Sequence, residues 1–180
     1  MEELINYVTG LDAIKTHTVS LIRGNVADTE LKEVDQQKYQ ATILLMAANL
    51  KSKHASTYRF RGSGIKAAQD IVQRRLIHRT QVERKQLVPC YAGRLTVVVT
   101  ESGEVYPCEA FTDKLGNVRE SDYDLRKILS SRQSAHALTA IKRKKCYCSH
   151  ECYMMMNILF NPRTYPALFK EYIGLMGSLG

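Results

Sequence analysis

The residues of this 180-residue sequence best suited to chemistry are its five cysteines. Three crowd into Cys146-Tyr147-Cys148-Ser149-His150-Glu151-Cys152, and two stand apart at Cys90 and Cys108. Thiolates are soft donors, and four of them satisfy either a zinc ion or an iron–sulfur cluster. Structural zinc sites tend to use paired C-x2-C spacings. Here one pair is spread widely and the other group contains C-x-C, which tilts the reading slightly toward a cluster. A cysteine buried as a small apolar residue explains one of the five. It explains poorly a knot of three among polar neighbours.

Position divides the ligands. A hairpin between Cys90 and Cys108 would return them to neighbouring places, with Gly103 letting the chain reverse. Cys146 and Cys148, in an extended loop, would both face one side while Tyr147 points away, so alternation does not choose between them. Cys152 falls in the first turn of a predicted helix, where the dipole favours the thiolate. The expected ligands are Cys90, Cys108 and Cys152, with either Cys148 or Cys146 as the fourth. His150 reads as an exposed loop imidazole, and Glu109 and Glu151 as solvated carboxylates. The Met154-Met155-Met156 run reads as packing on the apolar side of the site.

The elements that must position these residues fall into two stretches. Periodicity predicts helices over residues 2–14, about 29–51 and 65–78, with a β-rich segment from Thr16 to Ile22 between the first two. Asp28 or Thr29 can cap the second helix. Helix, strand and helix in succession suggest an α/β layer or barrel, yet one strand cannot pair its edges alone. Residues 79–86 read as a linker. A hairpin follows (strands Leu95–Thr100 and Glu104–Pro107), then a turn at Leu115-Gly116-Asn117 and helices over about 121–131 and 133–144. A helix through Phe160, stopped by Asn161-Pro162, and another over 166–176 close the chain.

Composition narrows the setting. Hydrophobic residues make up 44% and charged residues 24%, as in ordinary globular proteins. Glu2 and Glu3 are the wrong charge for a secretory signal, and no apolar run spans a bilayer, so a cytoplasmic protein without a membrane partner is expected. Cysteines there are metal ligands or thiols rather than a disulfide framework. The net charge of +8 raises the question of nucleic acid. Its densest runs, Arg74-Arg75, His78-Arg79 and Lys142 to Lys145, sit at predicted helix ends and read as solvated faces, which argues against that partner.

Around the cysteines the sequence resembles the C-terminal SPASM or twitch region of radical S-adenosylmethionine (SAM) enzymes. The spacing Cys90-x12-Gly103-x4-Cys108 fits that family's opening pattern. Gly103 to Cys108 and Leu115 to Val118 look like its hairpin and following turn, and Cys148-x3-Cys152 like its late C-x3-C element. The match covers about residues 88–160. A weaker resemblance links the segment around Thr16–Ile22 to late strand-helix units of the radical SAM barrel. The two-cluster family pattern has seven cysteines; five imply a single auxiliary [4Fe-4S] cluster. The C-x3-C-x2-C loop that serves SAM cleavage is absent, since Met155 stands where a third thiol should follow Cys148 and Cys152.

The resemblance implies an α/β (α+β overall) chain. Residues 1–80 would be a barrel remnant, and residues 81–180 a SPASM/twitch-like auxiliary cluster domain with C-terminal helices. It further implies the cluster-binding C-terminal portion of a radical SAM enzyme acting on a peptide or protein, not catalytic alone. Its partner would be the missing N-terminal radical SAM portion or a separate subunit, with SAM used only by the full-length or complemented enzyme. The alternatives are a structural zinc-binding interaction module with a basic surface and a metal-free redox-sensing thiol protein.

Overall fold

The structure, a computed structural model, describes residues 1–14, 16–24, 26–52, 58–144 and 147–177, with Lys144 described in its backbone only. Cys146 lies outside the described residues. The chain mixes helices with a small antiparallel sheet and divides into two compact units. The first comprises Met1–Arg84 with Cys148–Gly180, and the second Lys85–Tyr147. The sequence-based division near residue 80 placed the C-terminal helices with the second part. They fall in the first unit because they pack on its central helix.

The regular elements described in that first unit are all helical, its α-helices being α1 (Glu2–Thr9), α2 (Gln36–Lys51), α3 (Ser63–Glu83), α6 (Glu151–Leu159) and α7 (Tyr165–Met176). Helix α1 stops short of residue 14 because Gly10 is a poor helix residue and takes the C-cap position. The helix expected over 29–51 is broken. A 3-10 turn (Thr29–Lys32) capped by Asp28 comes first, and Asp35 then caps α2 by accepting from the N–H groups of Gln37 and Lys38.

Helix α3 outruns its predicted end, so much of the expected linker is helical. Residues 67–69 and 71–74 are all buried, because α2, α6 and α7 pack around it. A helix covered on so many sides needs no narrow apolar stripe, which is why polar Gln69, Gln73 and Arg74 share its core. Glu171 of α7, only 3% exposed, pairs with Lys51 of α2 at 2.7 Å and with Arg75 of α3, tying three helices together.

One expectation here is corrected. Thr16–Ile22 forms no strand. Leu21 is buried and His17 and Val19 are half-buried, while residues 16, 18, 20 and 22 are exposed, so the period of two survives. No described strand of this unit lies beside it to complete a ladder.

In the second unit β1 (Val98–Val99) pairs antiparallel with β2 (Glu104–Tyr106), and β2 with β3 (Gly116–Asn117). Helices α4 (Leu125–Leu129) and α5 (Arg132–Lys144) follow. Gly103 turns the hairpin at φ +86°, and a Cβ there would meet Asn117 Oδ1 at 2.8 Å. Within the turn expected at Leu115-Gly116-Asn117, Gly116 and Asn117 instead form the third strand. Leu115 donates its N–H to the Val105 carbonyl (2.6 Å) and is 1% exposed, so burial draws this segment onto the sheet. Val105, Phe111, Leu115, Ile128, Ala137 and Ile141 form this unit's core.

Candidate metal centre

The hairpin register places the Cys90 and Cys108 segments at the same end of the sheet. Val98 opposes Tyr106, and the same register extended by two residues sets Cys108 opposite Thr96. Ala92 is bridged to Thr96, and the Gly93 N–H donates to the Thr96 carbonyl at 2.7 Å, so the chain from Cys90 folds back on this end of the hairpin. Gly93, at φ +75°, permits that approach. A Cβ on it would meet Pro107, the neighbour of Cys108, at 3.0 Å and Leu138 at 2.7 Å. Both cysteines are partly exposed and pack against the same core. This leaves two thiols on the rim of a buried apolar cluster.

Cys148 and Cys152 belong to the first unit, at the start of α6. Cys152 lies in the first helical turn, as its position in the sequence indicates, and is exposed. Cys148 is partly buried, and its Sγ accepts the backbone N–H of His150 at 3.3 Å. Hydrogen bonds to sulfur favour the thiolate and tune any cluster it holds. Arg23 secures this end of the helix: its Nη1 donates to Glu151 Oε2 (2.6 Å) and to the Ser149 carbonyl (3.2 Å). Glu151 is therefore not the solvated carboxylate expected from sequence, because its side chain is 19% exposed and ion-paired. His150 is half-buried, packing edge-on against Tyr153 at 4.9 Å between ring centroids. Met154 is buried, and Met155 stands beside Cys152 in the wall of a cavity.

Thiol pairs placed in this way suit soft metal chemistry. Within either unit no group of three or more His, Cys, Asp or Glu side chains converges among the described residues. The donor type, four described thiols with one more at Cys146, fits an iron–sulfur cluster or a zinc ion.

Residues 90–153 match the family model of SPASM, an iron–sulfur cluster-binding domain. This stretch is a SPASM domain. It runs from Cys90 to Tyr153 and contains all five cysteines. Binding an iron–sulfur cluster is accordingly the property the SPASM domain gives this chain. No curated protein and no solved structure matches the chain.

Arg74 was missed from the sequence, where it reads as a helix-end cation on a solvated face. Because α3 continues to Glu83, Arg74 lies inside the helix and is 8% exposed. The available signal was spacing: Lys66, Asp70 and Arg74 recur every four residues and so share a face.

Proposed function

We propose that the chain is the auxiliary-cluster part of a radical SAM enzyme modifying a peptide or protein. In this reading one [4Fe-4S] cluster is held by Cys90, Cys108, Cys148 and Cys152. The observation that carries it is the SPASM match, which starts at Cys90 and encloses Cys152. The backbone hydrogen bond to Cys148 Sγ supports this thiol as a ligand, with Cys146 as its alternative. Bound there, the cluster would supply one-electron redox chemistry or a contact for substrate. The protein's own part is to hold the thiolates and to set their potential through burial and hydrogen bonds.

The radical-generating centre would come from a portion carrying the C-x3-C-x2-C loop that these cysteines do not form, in the same polypeptide or a partner subunit. A reducing, cytoplasmic setting belongs to the same reading, since it keeps the ligand thiols reduced. Among the described residues no helix is long and apolar enough to cross a membrane.

Four thiolates leave no open iron for SAM. The cluster-loaded chain, reduced with dithionite, should give an electron paramagnetic resonance signal that added SAM leaves unchanged, with no 5′-deoxyadenosine formed. A SAM-dependent change in the signal, or cleavage of SAM by this chain alone, would contradict the assignment.

A further inference from the structure

The first unit has an open cavity of about 410 Å³ that shares Cys152 with the proposed cluster, but whose Arg74 side the cluster reading does not use. It lies between the 16–20 segment, Tyr58, the Lys66-Asp70-Arg74 face of α3, and Glu151, Cys152 and Met155 of α6. Its volume is that of sites for small molecules.

Among the described residues around it, one charge has no ion-pair partner. Asp70 accepts from Lys66 and from the Tyr58 hydroxyl (3.2 Å). Glu151 is paired with Arg23. Arg74 makes no ion pair among the described residues. Its one hydrogen bond runs from Nη2 to the His17 carbonyl at 3.2 Å. Its Nη1 is buried without an acceptor, on a side chain 8% exposed. Burial lowers its pKa, yet a guanidinium stays protonated in proteins. Beside it, His17 Nε2 is also buried without a hydrogen-bond partner. Burial first, and then the charge of Arg74, hold this imidazole below its ordinary pKa, so it is neutral at pH 7.

A buried guanidinium facing a cavity is matched by an anion, and planar carboxylates fit its fork. Asp70 on the same face of α3 partly offsets the charge of Arg74, so a monoanion is the most this guanidinium calls for. Asp70 and Glu151 in the same wall disfavour a dianion such as phosphate. We infer that this cavity binds a small organic carboxylate, its oxygens taken by Arg74 and its body lying against Met155. The site rests on Arg74 and the cavity and does not require the cluster assignment to hold.

Isothermal titration of the full chain, purified anaerobically with its metal content recorded, tests this. The probes are N-acetylglycine, its neutral amide and inorganic phosphate. The acid should bind saturably, and the amide and phosphate at least about tenfold more weakly, a difference of about 1.4 kcal/mol. Arg74→Gln should weaken the acid by about tenfold or more, with circular dichroism reporting its fold. The acid–amide comparison in the native chain stands even if that variant fails to fold. Equal binding of acid and amide, tighter binding of phosphate, absence of saturable binding, or a folded Arg74→Gln chain that binds as the native one does would each overturn the inference. Iron content is measured separately, so loss of the cluster and loss of carboxylate binding are told apart.

Discussion

Cys146 and Cys148 differ by one intervening tyrosine, and sequence alternation treats them alike. The His150 N–H donates to Cys148 Sγ, and Cys146 lies outside the described residues, so iron content decides between the two thiols. Replacing Cys148 with Ser should lower bound iron by half or more in anaerobic preparations, whereas Cys146→Ser should retain it (order of magnitude from loss of one of four thiolates). The reverse pattern would assign the fourth ligand to Cys146. Cys90→Ser and Cys152→Ser should each resemble Cys148→Ser in iron content. The cysteines were legible in the sequence because ligand type and spacing are local properties. The settings of Glu151 and Arg74 were not. Whether a charge is solvated depends on what other segments bring to it, here Arg23 to Glu151 and the 16–20 segment to Arg74.

Among the elements, the SPASM hairpin depends on Gly103. Gly103→Ala places a Cβ at positive φ and against Asn117 Oδ1, and should destabilise the chain by about 1–3 kcal/mol in urea denaturation. An unchanged midpoint would remove the need for glycine there. The helices of the first unit depend on Glu171. Burial alone would raise its pKa, but hydrogen bonds from Lys51 and Arg75 outweigh this and hold the carboxyl below its ordinary 4.5. A depressed folded-state pKa contributes stability above the unfolded value that is lost as pH falls through the folded one. Glu171→Gln should therefore cost about 1–3 kcal/mol at pH 7. The gap from the native chain should narrow below about pH 4.5. A gap independent of pH would show that the carboxylate charge is not what matters. Helix positions and caps such as Asp28 were readable because capping is set by residues a few places away. The β-rich segment over 16–22 misled, since a strand needs a partner that propensity does not supply. The third strand hid in a turn signal because Leu115 is drawn to a core that only the folded unit contains.

At the scale of the whole molecule, the mixed fold and the SPASM domain were both visible in the sequence. The assignment of residues 148–180 to the first unit was not. It follows from α6 and α7 packing on α3, a long-range contact that no local pattern encodes. The central claim, that this chain carries one cluster on its thiols, is tested most directly by iron, acid-labile sulfide and zinc analysis with Mössbauer spectroscopy. The sample should be the chain purified without oxygen. The expected result is a brown protein with about four irons and about four sulfides per chain and little zinc. A colourless protein that carries zinc in place of iron would contradict it.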